Sequence, residues 1–280
     1  MRKARLVSKQ MQNTLLALSF ASTSLLAGAA FAGKVSFQDP KGDDNGPGSY
    51  EYPSKPVYEK GAFDLRSVEI KEKGSKIEIT VEIGTTVKDA WESKRWPTPG
   101  NGFSVQMFQV YADTDGKKGS GHDKALPGMN AKFADDSRWE KVFMISPQSN
   151  KRVSSEVKQK AKEFANDVVL PKKVVVRGKK VIATFDKKAL GGKVEQTGWQ
   201  VLVGSNEGFP KGKDLLSRKV NEYPGGDRFG GGTDGDVDPH FVDCLAGKGK
   251  GGDDEKKAQH DMLKFDEKAN KQAELVMVRK

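Results

Sequence analysis

The sequence predicts an all-β fold, an antiparallel β-sandwich with one or two peripheral helices. Three observations carry this expectation. Apolar residues alternate with polar ones in short runs, Gly, Asp and Pro separate those runs, and only two stretches have helix-forming character. A chain of 280 residues with 35% hydrophobic and 31% charged content is long enough to bury one such core.

Each element has its own local reason. Val35 and Phe37 mark a short first strand, followed by a long polar loop. Residues 63–70 and 76–83 alternate in period two, with Ile77, Ile79, Val81 and Ile83 on one face. Lys73-Gly74-Ser75 turns the chain between them, so the two runs pair antiparallel with one wet face. Residues 103–112, 139–145 and 198–204 read as further strands, with Trp139 and Trp199 in the core. Residues 174–177 and 180–185 flank Gly178 as a hairpin, and 274–278 is expected to close the sheet. Residues 154–166 and 254–259 read as helical. Residues 205–240 and 247–260 read as surface insertions, with 248–254 a flexible, solvated loop.

The N-terminus is expected to be removed before folding. Arg2, Lys3, Arg5 and Lys9 precede an apolar stretch that ends in Ala30-Phe31-Ala32, the pattern of a secretory signal over residues 1–32 cut before Gly33. The alternative, a retained signal anchor, needs a run of ~20 apolar residues that this stretch lacks. Residues 33–280 are then expected to form a single exported domain, periplasmic or extracellular, with no later transmembrane segment. Losing four of the 48 Lys and Arg leaves 44 against 38 Asp and Glu, a net charge of +6. That excess is spread out, without a dense cationic stripe interleaved with aromatics, which argues against nucleic acid as a partner. Cys244 is the single cysteine, so no internal disulfide can order the loops. It lies in the apolar run Phe241-Val242-Asp243-Cys244-Leu245 and reads as buried.

Acidic, glycine-rich loops supply another kind of staple. Asp39, Asp43, Asp44 and Asn45 fall within seven residues that also hold Gly42, and Gly46 follows directly. Calcium takes six to eight oxygen ligands, and glycines let backbone carbonyls turn toward an ion. The alternative is a set of Asx turns with solvated carboxylates. Asp234, Asp236 and Asp238 alternate after Gly230-Gly231-Gly232, which in an extended loop puts three like charges on one side. The segment is not an EF-hand, because Pro239 stands where the sixth-position glycine belongs. Asp113 and Asp115 end a strand, and by themselves they read as an ordinary Asp-Gly turn.

Trp91, Trp96, Tyr50, Tyr52 and Tyr58 lie in loops. Flat rings in loops can stack on sugar faces, or they can cap the ends of the core. Catalytic signals are weak. His122, His240 and His260 have no zinc-ligand spacing, and there is no nucleophile elbow or phosphate-binding loop.

The runs Asp39-Pro40-x-Gly42-Asp43-Asp44-x-Gly46-Pro47-Gly48-x-Tyr50-x-Tyr52-Pro53 and Gly61-Ala62-Phe63-Asp64-Leu65 resemble the start of the C-terminal glucodextranase-type domain, a DOMON-like module also found in amylopullulanases. The resemblance continues through Asn101-Gly102-Phe103-Ser104-x-Gln106, Tyr111-x-Asp113-Thr114-Asp115 and Phe229-Gly230-Gly231-Gly232-x-Asp234-Gly235-x-x-Asp238-Pro239, in order along nearly all of residues 33–280. It implies a non-enzymatic sandwich that binds carbohydrate or the cell surface, with calcium in the fold. By position it implies one ligand set of Asp39, Asp43, Asp44 and Asp64, with Asp113, Asp115, Asp234, Asp236 and Asp238 as further candidates. Trp91, Trp96, Tyr50 and Tyr52 are the expected ligand-binding rings. Such modules often follow a hydrolase, so a separate glycoside hydrolase or envelope complex is an expected partner. DOMON-like sandwiches can also hold haem, for which Met107, Met129, Met144 and His122 are candidate axial ligands, or serve as structural envelope proteins.

Overall fold

A computed structural model describes residues 33–280 other than 211 and 236. The signal predicted over residues 1–32 lies outside the described residues, as does Asp236. The strands are β1 (Lys34–Gln38), β2 (Leu65–Lys73), β3 (Lys76–Ile83), β4 (Gln106–Asp113), β5 (Ala131–Phe133), β6 (Lys141–Ile145), β7 (Val168–Val169), β8 (Lys173–Arg177), β9 (Lys180–Asp186), β10 (Gly198–Ser205), β11 (Asp243–Cys244) and β12 (Ala273–Leu275). The helices are α1 (Asn150–Lys160) and α2 (Asp253–Met262). One five-stranded sheet has the order β1-β2-β3-β9-β8, a second has β11-β10-β4-β6-β7, and β5 pairs with β12. Pairing is antiparallel throughout the first sheet. The fold is the sandwich that the alternating runs predict.

The first sheet is built by local chemistry. Ile77, Ile79, Val81 and Ile83 are fully buried on one face of β3, and the residues between them are half-buried. Burying each such side chain is worth roughly 1.5–3 kcal/mol relative to leaving it exposed. Two-residue loops, Gly74-Ser75 and Gly178-Lys179, join β2 to β3 and β8 to β9 in tight register. Gly74 has φ +60° and Gly178 φ +57°, left-handed values that suit the twist of a two-residue hairpin. A Cβ at Gly178 would meet nothing within 4 Å. Gly178→Ala is therefore expected to cost backbone strain alone, ~1 kcal/mol. That is a fall in Tm of about 2–4 °C for a domain of this size, checked by thermal melting.

The second sheet has no wet face at its centre. Every residue of β4 and β10 is buried, on both faces. Phe108, Val110, Val201 and Val203 join the core between the sheets. On the opposite face Met107, Tyr111, Met144 and Leu202 form a second core with Phe133 and Leu275 of the small sheet, Val153 and Val157 of α1, and Leu263 after α2. Trp199 belongs to the first core and Trp139 to the second, both fully buried. Cys244 is buried and free.

Four boundaries differ from the sequence reading. The helix expected over 154–166 begins at Asn150, because the Ser149 hydroxyl accepts the Arg152 N–H as an N-cap, and the helix stops at Lys160. The C-terminal segment pairs parallel with β5, and beyond it Val278 reaches β10, exchanging two backbone hydrogen bonds with Trp199 (2.9 and 2.8 Å), while the Val276 carbonyl accepts the Gln200 side-chain amide (2.8 Å). Residues 205–240 are not merely a surface insertion, since they bury Leu215, Leu216, Val220 and Phe229. The 248–254 run is tied down. The Lys248, Lys250 and Gly251 N–H groups all donate to the buried carboxylate of Glu255, at 2.6–3.0 Å. Gly247, Gly249 and Gly251 each take positive φ, and this alternation turns successive N–H groups inward as a nest.

Candidate functional site

The acidic cluster forms where the N-terminal edge of the first sheet meets the edge of the second. Asp39 leaves β1, and its N–H donates to the Arg66 carbonyl (3.1 Å). Asp43 sits in the loop that follows, and its carbonyl accepts the Gln259 side-chain amide of α2 (2.6 Å). The same Gln259 accepts the Cys244 N–H (3.0 Å), so α2 pins the loop to β11. Asp243 on β11 completes the group. One carboxylate oxygen from each of Asp39, Asp43 and Asp243 lies within 4.8 Å of the others.

All three side chains are buried, at 4%, 1% and 0% exposure, which is where uncompensated charge costs most. Asp243 is held by the Leu65 N–H (2.7 Å) and the Cys244 N–H (2.8 Å). Asp39 Oδ2 and both Asp43 oxygens have no hydrogen-bond partner. Burial, with the neighbouring carboxylates, pushes Asp39 and Asp243 well above the ordinary carboxylate range. Burial likewise raises Asp43 to about 7, with Asp64 adding repulsion. Converging, desolvated carboxylates with orphaned oxygens fit a hard divalent cation, which supplies the missing partner to every one of them.

The remaining acidic residues divide. Asp64 and Asp44 stand beside the cluster with engaged carboxylates. Asp64 accepts the Gly42 N–H (3.0 Å) and lies 3.6 Å from Arg66, and Asp44 accepts the Tyr52 hydroxyl. Asp113, Asp115 and Glu140 form a second group, in which Arg279 pairs with Asp113 and the Gly116, Lys117 and Thr114 N–H groups donate to the three carboxylates in turn, leaving Glu140 Oε1 as the one buried oxygen of the group with no partner. The expectation that Asp234 and Asp238 share one side of an extended loop is corrected. Asp234 is exposed and Asp238 fully buried, because the chain turns here instead of extending, with Gly231 at φ +83°. Asp238 accepts the Thr233 hydroxyl (3.2 Å), and burial raises it to about 6. Met107, Met129 and Met144 are packed in the second core, and His122 is held by Asp167 (2.8 Å).

The aromatic residues also divide. Tyr50 and Tyr52 are not open stacking rings, a correction with a clear cause. Tyr50 is buried with its hydroxyl on the Pro239 carbonyl (2.7 Å). Tyr52 packs edge-on against Phe63 and Phe229, with its hydroxyl bound between Asp44 and the Phe63 N–H. Tyr58 stacks on Phe63 (6.3 Å) and meets Trp91 edge-on (6.1 Å). A chain of contacts thus runs from Asp44 through Tyr52, Phe63 and Tyr58 to Trp91.

Trp91 and Trp96 are half-buried and line a cleft of about 410 Å³ at the same end of the second sheet. Phe209, 89% exposed, stands on its rim, and Gln148, Arg152, Glu207 and Arg218 provide polar groups. The tryptophan loop is rigidly built. Asp89 accepts the Ser93 N–H and the Ser104 hydroxyl (2.8 and 2.6 Å), Ser104 accepts the Trp91 N–H (3.0 Å), and the Trp96 indole donates to the Trp91 carbonyl (2.8 Å). Its lining, mostly apolar with a few convergent polar groups, is that of a small-ligand site.

Sequence reasoning missed Asp243, Phe209, Arg152 and Glu255. Asp243 was legible as a lone carboxylate inside a five-residue apolar run, a place where charge needs a partner. Glu255 was legible from the glycines at 247, 249 and 251. Nothing local marks Arg152 or Phe209.

No curated protein matches the chain. The model of one family, described as the C-terminal, SLH-like binding module of glucodextranase, matches residues 35–277. With that match spanning both sheets, the acidic cluster and the tryptophan cleft, the chain belongs to the family of the SLH-like C-terminal binding module of glucodextranase.

Proposed function

We propose that this protein is an exported, non-catalytic module that holds a glycan of the cell envelope or its surroundings in the Trp91–Trp96 cleft, and that calcium bound by Asp39, Asp43 and Asp243 keeps that end of the sandwich in shape. The observation that carries the reading is the cleft itself. Two half-buried indoles fixed by their own loop, an exposed phenylalanine opposite and ringed polar side chains match what a sugar presents, a flat C–H face edged with hydroxyls. The family match supports binding over catalysis. Among the described residues, no helix is long and apolar enough to cross a membrane.

Calcium would serve the cleft indirectly. It supplies positive charge to three buried carboxylates and thereby fixes the loop that carries Asp44 and Tyr52. That loop supports Trp91 from below through Phe63 and Tyr58. Asp64 is the candidate that could join the ligand set from the side.

Affinity electrophoresis through immobilised polysaccharides tests the reading. Trp91→Ala and Trp96→Ala are each expected to weaken retention about tenfold, the ~1–2 kcal/mol that a stacked ring contributes. Unchanged retention in both variants removes the cleft as the site.

A further inference from the structure

We infer that the cleft selects an acidic sugar, a ring that carries a carboxylate, and that Arg152 is the residue that reads it. This rests on the cleft being the glycan site and adds the class of ligand.

The charges around the cleft do not balance. Arg218 is committed to the fold through both Nη groups, one donating to the Asp227 carbonyl (2.8 Å) and the other 3.2 Å from Glu207, which leaves only its buried Nε without a partner. Glu207 is committed too, since it also accepts the Phe209 N–H (2.9 Å). These two charges cancel. Lys160 donates to the Asp214 and Pro210 carbonyls (3.0 and 3.4 Å) and lies 2.9 Å from the buried Glu156. Glu156 thus already has a cation when Arg152 approaches it at 2.8 Å. Two cations on one carboxylate leave one positive charge uncancelled, and Arg152 is the partner that a ligand can reach. The Arg152 side chain is 40% exposed and that of Lys160 only 16%.

Arg152 has donors to spare. A guanidinium carries five N–H groups in a planar fork, more than the contact of one Nη with Glu156 at 2.8 Å requires. Glu156 holds it in place from one side, so little ordering cost remains for a ligand. The backbone adds to the field. Arg152 lies in the first turn of α1, and that turn contains no acidic residue to cancel the positive end of the helix. A neutral sugar would leave the spare charge and the helix end unanswered. A ring carboxylate answers both by a forked, charge-assisted pair while its C–H face lies on the tryptophans.

Titration of the full chain with oligogalacturonate and, separately, with the neutral oligosaccharides of pullulan tests this. Wild type is expected to bind the acidic oligomer at least tenfold more tightly, with affinity falling as salt rises, and to show no salt dependence on the neutral one. Arg152→Gln is expected to lose roughly ten- to hundredfold on the acidic oligomer, the range for a hydrogen bond to a charged group, and no more than about threefold on the neutral one, where it exchanges one donor for another. Arg152→Lys keeps the charge without the fork and falls between. Equal binding of both oligomers by wild type, or an Arg152→Gln variant with unchanged preference and an unchanged melt, overturns the acidic-sugar inference alone. Binding to neither oligomer overturns it together with the glycan reading.

Discussion

Calcium at a hundredfold excess over its dissociation constant is expected to stabilise this protein by about 2.7 kcal/mol, a rise in Tm of about 5–10 °C over the same protein in chelator. The effect follows from the burial of Asp39, Asp43 and Asp243 together, with Asp39 Oδ2 and both Asp43 oxygens satisfied by no protein group. Its pH dependence has a definite sign. Burial raises Asp43 to about 7, so its folded-state pKa lies above its unfolded value. In chelator, that contribution to stability is full below the ordinary carboxylate range and is lost as pH rises through about 7. The chelated protein is therefore expected to melt lower at pH 8 than at pH 5. Calcium competes with the protons, so its stabilisation grows over the same interval.

Asp43→Asn separates this account from a generic ion effect. It removes one buried charge, so in chelator at pH 8 the variant is expected to exceed wild type by roughly 1–3 kcal/mol, while losing most of its response to calcium. Differential scanning calorimetry across pH 5–8, with and without calcium, reads both. A wild-type melt indifferent to chelator would sink the metal reading. The loss should also reach the cleft. Retention on glycan is expected to weaken in chelator, since the contacts from Asp44 through Tyr52 and Tyr58 to Trp91 start in the same loop.

Glu255→Ala is expected to cost about 3 kcal/mol or more, the largest loss from any polar substitution considered. Three backbone N–H groups, of Lys248, Lys250 and Gly251, end on that carboxylate. Deleting it removes a charged acceptor from all three, and a hydrogen bond to a charged group is worth about 1.5–3 kcal/mol, of which water entry at this part-exposed loop recovers a share. The damage spreads to the acidic cluster. The Gln38 N–H donates to the Gly249 carbonyl (2.9 Å), so the nest positions the end of β1 and hence Asp39. Glu255→Gln keeps one acceptor oxygen and should retain part of the stability. Thermal melts of the two variants check the order, and an Ala variant as stable as wild type would mean that the loop needs no anchor.

The outcome at Glu255 shows what a local reading can and cannot reach. Lysines and glycines at 247–252 are the composition of a solvated loop, and the sequence reading took them so. The loop is ordered because a side chain from the next helix fills the concavity that the alternating glycines create. The tyrosines teach the same lesson. Tyr50 and Tyr52 stand in a loop, where rings are free to face solvent. Their hydroxyls find Pro239 and Asp44, and the edges of Phe63 and Phe229 take the Tyr52 ring. By contrast, β3 and the hairpins at Gly74 and Gly178 were legible residue by residue, because alternation and positive φ are properties of neighbours in sequence.

The sequence by itself determined the longer strands, the tight turns, the acidic loop around Asp39 and Asp43, and the family, but not the short strands β5, β7 and β11. What it determined depends on spacing along the chain, which a pleated strand converts directly into inside and outside. Only the tertiary structure decided that Asp243 faces Asp39 and Asp43, that Arg152 and Phe209 meet the tryptophan loop, and that the second sheet is covered on both faces. Those contacts join segments far apart in the chain, and they are set by which strand edges pair and in what register, a global balance of burial that no short window of residues contains.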